Sequence, residues 1–89
     1  MIYEYDEAKA FINLAKHGVS FELIKRFEWR TATVEQDTRK DYGEDRFIAF
    51  GKIDGRVHVV VYTTRSGIIR LIGLRKANSR EVKRYESQA

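Results

Sequence analysis

Residues 46–77 alternate between apolar and polar positions in three runs, which are separated by the dipeptides Asp54-Gly55 and Ser66-Gly67. A strand points successive side chains to opposite faces, so this alternation predicts three β-strands. Asp-Gly favours a two-residue hairpin because both central residues of a type I′ turn have a positive φ. Ser-Gly is a weaker signal of the same kind. The stretch is therefore predicted to be three antiparallel strands joined by two tight turns.

Two-residue turns also fix which residues are paired across the strands. Gly51 should pair with His58, and His58 with Arg75. Because directly opposed residues share a face, one face is predicted to be the core face, with Arg46, Lys52, Thr63 and Arg70 at its rims: Ile48, Phe50, Val57, Val59, Val61, Ile72 and Leu74. The other is predicted to be a partly open cleft: Phe47, Ala49, Gly51, His58, Val60, Tyr62, Leu71, Gly73 and Arg75.

Helical patterns flank this block on both sides. Asp6 and Gly18 have the preferences of an N-cap and a C′ residue, and spacing at i, i+3, i+4 and i+7 predicts a buried stripe of Ala8, Phe11, Ile12 and Ala15. Ser20 is predicted to cap a second helix over 21–29. A last helix over roughly 79–86 follows a pattern typical of a capping box, formed by Asn78 and Glu81.

Residues 31–37 are β-branched and roughly alternating, which predicts one more strand at a sheet edge. The fold class is therefore α+β in the order ααββββα, with an antiparallel four-stranded sheet, two N-terminal helices and one C-terminal helix. The 89 residues are predicted to form a single domain over 1–89.

Composition narrows the class of protein. The chain has no cysteine, which excludes a disulfide framework or thiolate metal site and favours a cytoplasmic location. Two histidines make a catalytic zinc site an unfavoured interpretation, so no metal or cofactor is predicted. No apolar run approaches the roughly 18 residues of a membrane span, and the acidic N-terminus does not have the pattern of a signal peptide.

The net charge of +4 is unevenly distributed along the chain. Residues 1–44 contain seven Lys or Arg and nine Asp or Glu, a net charge of −2, whereas residues 45–89 contain ten and four, a net charge of +6. Seven of those ten cations are arginine, whose guanidinium matches phosphate geometry. The basic half therefore indicates a nucleic-acid partner, with an ordinary solvated surface as the alternative.

Few single residues have side chains suited to catalysis or RNA binding, and each of them can also be explained by a purely structural role. His17 titrates near neutral pH, but a cation at a helix C-terminus is also favoured without catalysis. Arg75 at a strand end, near Gly73, could stabilise developing phosphate charge or pair with a nearby carboxylate. Tyr62 and Tyr85 could stack on bases or lie in the core.

Three segments, in this order, resemble the BrnT family of small toxins of bacterial type II toxin–antitoxin systems: YDEAKAFINLAKHGVSFE, DYGEDRFIAFGKIDGRVHVVVYTTR and IRLIGLRKANSREVKRYE. The resemblance covers nearly the whole chain, and it implies a fold similar to RelE-like ribonucleases. It departs from the family at Tyr5, where Trp is frequent, and at Gly73, where a Ser-Ala-Arg run is common and this chain has Gly-Leu-Arg.

The resemblance implies RNA cleavage that inhibits translation and arrests growth, checked by a BrnA-like antitoxin with a ribbon-helix-helix DNA-binding part. The complex, with two toxins and two antitoxins as one possible stoichiometry, would repress its own operon, so that DNA is bound only through the antitoxin. In a metal-free hypothesis, the RNA 2′-OH attacks the adjacent phosphorus. Arg75, with Arg65 or Arg46, would stabilise charge.

The proton-transfer residue is left open among Lys16, His17 and Tyr85. Further RNA contacts are predicted from the basic half and its aromatic residues: Arg46, Lys76, Arg80, Arg84 and Tyr62. Two other functions remain open, a non-catalytic nucleic-acid-binding module and a subunit whose open sheet face receives a partner segment.

Overall fold

The computed structural model describes residues 1–88 and contains a five-stranded sheet in the order β1-β5-β4-β3-β2. The elements along the chain are β1 (Tyr3–Glu4), α1 (Glu7–His17), β2 (Thr33–Asp37), β3 (Arg46–Ile53), β4 (Arg56–Arg65), β5 (Ile68–Lys76) and α2 (Ser79–Gln88). Two 3₁₀ helices, Phe21–Arg26 and Trp29–Thr31, connect α1 to β2. All strand pairs are antiparallel except β1 with β5.

The α+β class is confirmed, but the predicted four strands and two N-terminal helices are not. The fifth strand, β1, is only two residues long, too short to show alternation in the sequence. The predicted second helix is a 3₁₀ helix, Phe21–Arg26, capped by Ser20. A 3₁₀ helix places every third residue on one side, and this geometry buries Phe21, Ile24 and Phe27 together.

Both hairpins have the predicted two-residue turns. Asp54 and Gly55 have φ values of 51° and 80°, and Ser66 and Gly67 have φ values of 50° and 78°. Positive φ at both central positions is the type I′ requirement. The turn prediction from sequence is therefore confirmed.

A β-bulge at Ile72 changes the register of the last strand. Pairing follows the prediction as far as Tyr62 opposite Leu71, and then shifts so that Val61 is opposite Gly73. An extra residue in one strand reverses the facing of everything beyond it. The predicted pairing of His58 with Arg75 is therefore wrong, because Arg75 lies opposite Val59 and His58 lies opposite Lys76.

The bulge matters because it places Leu71 and Leu74 on the same face, where each is 1% exposed. This face, here called the α1 face, has the larger core beneath α1 and the first 3₁₀ helix: Val19, Phe21, Ile24, Phe27, Ala49, Ile53, Val60, Tyr62, Ile69, Leu71 and Leu74. The sequence-based prediction that this side is an open cleft is wrong. Helical segments supply the large side chains that cover it.

The opposite face, here called the α2 face, has a smaller core. Phe50, Val57 and Val59 pack there against Ala77 and Tyr85. The capping box predicted for α2 is present: Glu81 N donates to Asn78 Oδ1 at 2.8 Å, and Asn78 N donates to Glu81 Oε1 at 3.0 Å. The last helix covers one end of this face, and Ser79 and Val82 line a cavity together with Gly55 of the hairpin turn.

The predicted buried stripe of α1 is wrong, because its apolar residues face solvent. Phe11 is 74% exposed and Ile12 is 61% exposed, whereas Asn13 is only 7% exposed. The Asn13 side-chain amide donates to the carbonyls of Leu74 at 2.7 Å and Val19 at 3.0 Å, and its Oδ1 accepts from Leu74 N at 3.2 Å. Asn13 thus forms hydrogen bonds with the backbone N–H and C=O of Leu74 on the outer edge of β5, as a neighbouring strand would.

His58 introduces a pH dependence of stability. It is 4% exposed, and its Nδ1 donates to the Arg56 carbonyl at 2.7 Å. Burial lowers the pKa of His58 below its ordinary value, and the charges of Arg56 and Lys76 act in the same direction, while the backbone hydrogen bond and Asp54 oppose them. The unfolded chain therefore binds this proton at a higher pH than the folded chain does.

We expect the free energy of unfolding to be largest above the ordinary histidine pKa of about 6.5 and to decrease as the pH falls through it. Urea denaturation at pH 7.5 and pH 5.5 measures this difference. In His58→Gln the difference should shrink to the part contributed by His17, whose pKa is also lowered. An equal pH dependence in wild type and His58→Gln would contradict the assignment.

Candidate active site

α2 leaves part of its sheet face uncovered. Ile48, Val61 and Gly73 are directly opposite one another across β3, β4 and β5, so they share that face. Each is partly exposed. They form what is here called the floor, a shallow strip of small and apolar surface beside α2.

Arginines surround the floor, and each has a carboxylate partner within 4 Å. The pairs are Arg39–Asp37 at 2.8 Å, Arg46–Glu44 at 3.4 Å, Arg65–Glu44 at 3.6 Å, Arg70–Glu4 at 3.6 Å, Arg75–Glu81 at 2.8 Å and Arg84–Glu35 at 2.6 Å. Pairs whose two side chains are both at least partly exposed are each worth about 0–1 kcal/mol, so a polyanion can compete for those guanidinium groups at small cost. Arg39–Asp37 is the exception, because the Asp37 carboxylate is buried and loss of Arg39 would leave its charge unpaired.

Arg75 is held next to the floor by the first turn of α2. Its Nη1 and Nη2 donate to Glu81 Oε1 at 2.8 Å and Oε2 at 2.9 Å. This bidentate hydrogen bonding raises the pKa of Arg75 and lowers that of Glu81. Arg39 is close enough for its charge to oppose the Arg75 shift. Arg75 is consequently a fixed cation, 37% exposed, with a second arginine nearby.

The end of α1 brings two more polar side chains close to Gly73, at the β5 end of the floor. α1 ends at His17 and is capped by Gly18, whose φ of 69° suits glycine, and the last turn contains Lys16 and His17. A cavity of about 290 Å³ is lined by both and by Lys9, Ile12, Asn13, Ile72 and Gly73. Partial desolvation lowers the pKa of His17, and the charges of Lys16 and Arg75 lower it further.

This arrangement brings together an imidazole with a lowered pKa, a lysine side chain and a guanidinium held by Glu81, beside a glycine. Such a set can accept a proton, donate a proton and stabilise an oxyanion. A family model described as "Ribonuclease toxin, BrnT, of type II toxin-antitoxin system" matches residues 5–81. The chain belongs to the BrnT family. No curated protein matches it.

Membership in the BrnT family shows the general class of function, a ribonuclease toxin of a type II toxin–antitoxin system. It also implies an antitoxin partner. The match ends at residue 81, so it includes the floor, Arg75 and the Glu81 carboxylate that holds Arg75. No helix among residues 1–88 is long and apolar enough to span a membrane.

Arg46 and Arg65 lie at the other end of the α2 face from Arg75. Both contact Glu44, and the Arg46 guanidinium lies over the Tyr42 ring at 4.1 Å from its centroid. Arg65 precedes the β4–β5 turn, while Arg75 is near the far end of β5. The structure therefore does not bring these two arginines together.

Tyr62 and Tyr85, the two tyrosines predicted to be functional, are buried inside the protein. Tyr62 is 8% exposed, and its ring packs against Trp29 and Phe47 at centroid distances of 5.3 and 5.6 Å. Tyr85 is 4% exposed, and its hydroxyl donates to the Thr31 carbonyl at 3.1 Å. Neither ring presents a face for base stacking.

The other predicted RNA contacts are spread over separate surfaces. Lys76 is exposed on the α1 side of β5, opposite His58. Arg80 is exposed in the first turn of α2. Arg84 pairs with Glu35 and lies 5.6 Å from the Phe50 ring centroid. Of the three, Arg84 is the one that contacts the α2 face.

Sequence reasoning missed three residues of this region as functional candidates: Asp37, Arg39 and Glu81. Arg39 is in the loop after β2, and Asp37 accepts hydrogen bonds from Arg39 and from the Tyr42 hydroxyl. Those bonds hold the pKa of Asp37 well below its usual range. Glu81 was recognised as a capping residue, but its contact with Arg75 depends on the bulge, for which the hydrophobic pattern has no signal.

Proposed function

We propose that the chain is an endoribonuclease that cleaves RNA lying across the floor by attack of the 2′-OH on the adjacent phosphorus. The observation that carries this proposal is the convergence of Lys16, His17 and Gly73 on one cavity that Arg75 is close enough to influence. Family membership supports the reaction class.

In the proposed reaction the 2′ oxygen bonds to phosphorus and the bond from phosphorus to the 5′ oxygen breaks. The products are a 2′,3′-cyclic phosphate and a 5′-OH. His17 accepts the 2′-OH proton, because its lowered pKa keeps the imidazole neutral at pH 7. Lys16 donates the proton to the leaving oxygen, and Arg75 stabilises the added negative charge on the phosphoryl oxygens.

The RNA strand is proposed to extend along the α2 face toward Arg70 and Arg46. Arg70 and Arg75 are separated by five residues of β5, roughly 16 Å at about 3.3 Å per residue. They would therefore contact different phosphates of one strand. Tyr62 and Tyr85 have no part in this proposal, because both are buried.

Chemical substitution of the RNA tests the proposal. The cleavage position is first mapped on a long RNA, and an oligonucleotide is then made with a single 2′-deoxy sugar at that position. Cleavage should be abolished, while the Kd for the uncleaved oligonucleotide should change by less than about threefold, because a single hydroxyl contributes little to phosphate-dominated binding. Continued cleavage of the 2′-deoxy substrate would contradict the mechanism.

A non-catalytic binding function is the second candidate. The observation that favours it is the carboxylate partner of each arginine around the floor, which is the pattern of a structural ion-pair network. Under this function the wild-type protein binds the long RNA of the mapping step but leaves it uncleaved at every position. The same experiment therefore separates the two.

We also propose that the toxin is cytoplasmic and is neutralised by a BrnA-like ribbon-helix-helix antitoxin in a complex of two toxins and two antitoxins. In this proposal the complex represses its own operon, with DNA contacts made by the antitoxin alone. The toxin's target is translation, through cleavage of messenger RNA. Family membership supports the antitoxin, and the remaining details rest on the resemblance described above.

Gly73 offers a gain-of-function test, because the resemblance includes a serine at this position. A Cβ at Gly73 would lie 3.9 Å from both Asn13 Oδ1 and Val61 Cβ, which is ordinary contact distance. We expect Gly73→Ser to fold with a free energy of unfolding within about 0.5 kcal/mol of wild type. Its hydroxyl would donate to a phosphoryl oxygen, raising kcat/KM about fivefold, as one net hydrogen bond of about 1 kcal/mol allows.

Gly73→Ala is the matched control, since it adds the Cβ without the hydroxyl. Cleavage of a fluorescent oligonucleotide measures all three proteins. An equal rate for the serine and alanine variants would show that the hydroxyl contributes nothing at this position.

A further inference from the structure

α1 presents an apolar face to solvent along its whole length. Phe11, Ile12 and Leu14 are 74%, 61% and 48% exposed, and Ala8 and Ala15 are also exposed. On a helix with 3.6 residues per turn, Phe11 and Ala15 lie opposite the buried Asn13. These five exposed residues are here called the outer face of α1.

The orientation of α1 is fixed, so the outer face cannot turn inward. The three hydrogen bonds of Asn13 to Val19 and Leu74 connect the opposite side of the helix to β5. Lys9, Lys16 and His17 line a cavity beside the same strand. An amphipathic helix normally buries its apolar side. Here the polar side faces the protein, and a contiguous exposed apolar patch of this kind marks a protein-interaction surface.

The two flanks of the outer face have opposite charges, because Glu7 and Glu22 line a cavity beside Phe11 and Leu14. Lys9 and Lys16 lie on the same flank as Ile12, and all three line the cavity near Gly73. In an antiparallel pair of two α1 helices, the two lysine flanks would meet, and the chain already has a net charge of +4. Like charges facing each other are unfavourable. A partner helix with acidic residues on that flank would instead be complementary.

Position also favours a neutralising partner. Ile12 belongs both to the outer face and to the cavity that contains His17, so the two surfaces are continuous. A helix packed on Phe11 and Ile12 reaches the cavity through its acidic flank. Its occupancy would therefore exclude RNA phosphate from Lys16 and His17.

We propose that the outer face of α1 is the docking surface for an amphipathic helix of the antitoxin, with apolar residues at i, i+3, i+4 and i+7 and acidic residues facing Lys9 and Lys16. This inference rests on the proposed function, because it takes the occupant to be the inhibitor of the ribonuclease. Helix-in-groove recognition uses this apolar spacing.

The test uses the cognate antitoxin, co-expressed from the toxin's own operon and purified. Phe11→Asp is compared with Val34→Asp, the same change at a side chain that is 50% exposed on the opposite edge strand, β2. Calorimetry should show that Phe11→Asp raises the Kd for the antitoxin about 30-fold or more, as for an interface hot spot, and that Val34→Asp leaves it within about twofold. A Kd unchanged by Phe11→Asp would overturn the proposal.

Toxin activity without antitoxin separates this inference from the proposed function. Phe11→Asp should cleave RNA at the wild-type rate and should arrest growth even when antitoxin is co-expressed. If the wild-type protein binds antitoxin through Phe11 but cleaves no RNA, the docking surface stands and the ribonuclease proposal fails. A Tm of Phe11→Asp equal to that of wild type shows that the change affects only the surface.

Cross-linking identifies the occupant directly. The chain has no cysteine, so Ala15→Cys provides a single labelling site on the outer face, and Val34→Cys is its control. A benzophenone attached to the thiol of the Ala15→Cys variant should cross-link to the antitoxin in the purified complex, and one attached to the Val34→Cys variant should not. Cross-links between two toxin chains, together with a toxin dimer in sedimentation equilibrium, would assign the face to a second copy and overturn the proposal.

Discussion

Arg75→Ala is expected to reduce RNA cleavage by about 10²–10³-fold, the usual effect of removing one donor that stabilises developing negative charge. The variant keeps Lys16 and His17, so the remaining activity would come from proton transfer without charge stabilisation. Cleavage of an oligonucleotide containing the mapped site measures kcat/KM. Growth after induced expression gives the cellular readout, with wild type arresting growth and Arg75→Ala failing to do so.

The stability of Arg75→Ala should change little. The side chain is 37% exposed, and an ion pair with that exposure contributes about 1 kcal/mol or less. A Tm measurement on the purified variant therefore accompanies the activity assay. If Arg75→Ala is unfolded at the assay temperature, the arginine is structural and the catalytic assignment is wrong.

Glu81→Gln tests whether catalysis requires Arg75 to be held in position, in addition to requiring that the side chain is present. Glutamine serves in a capping box as glutamate does, so the start of α2 is retained. The bidentate ionic contact with Arg75 is lost, and the guanidinium becomes free to adopt other rotamers. We expect a smaller decrease in kcat than for Arg75→Ala with little change in KM. A stop codon at Lys9 is the control for expression in the growth assay.

The sequence predicted those parts of the fold that depend on local preferences. Asp54-Gly55 and Ser66-Gly67 require positive φ, and both turns formed as expected. The caps at Asp6, Ser20 and Asn78 are likewise present. Each of these features is decided by a few neighbouring residues, which is why a single sequence is enough to find them.

The predictions that failed depend on contacts between distant segments. The bulge at Ile72 places Leu71 and Leu74 in the same core, and strict alternation cannot anticipate an inserted residue. The shift moves Arg75 to the α2 face, where it meets Glu81. The sequence therefore identifies Arg75 as a candidate but predicts the wrong neighbour for it: His58 was expected across the strand, whereas Arg75 contacts Glu81. The alternative interpretation, a strand-end arginine paired with a carboxylate, describes the geometry that is present.

The prediction that the apolar side of α1 is buried was wrong for a different reason. Its i, i+3, i+4, i+7 pattern is a genuine amphipathic signal, but periodicity does not say which molecule covers the apolar side. Asn13 on the polar side decides the orientation by bonding to a strand edge that is 61 residues away in the chain.

Asn13→Ala is expected to have the largest effect on stability, a loss of about 3 kcal/mol in the free energy of unfolding. Truncation leaves the N–H and C=O of Leu74 and the C=O of Val19 without their partner, and each buried group without a hydrogen bond costs about 1–3 kcal/mol. The expected loss lies below the full sum because water can enter from the neighbouring cavity. Since a domain of this size has roughly 5–15 kcal/mol in total, the change is large. Urea denaturation measures it.

Leu14→Ala is the matched control, because it truncates the next side chain of the same helix. Leu14 is 48% exposed, so its loss should change stability by about 0.5 kcal/mol or less. Asn13→Asp gives a second comparison: the ionised carboxylate still accepts from Leu74 N but donates to neither carbonyl, and it should be at least as destabilising as alanine. Equal stability of Asn13→Ala and Leu14→Ala would mean that the hydrogen bonds to β5 do not fix the helix, and α1 would then be free to turn its apolar residues inward.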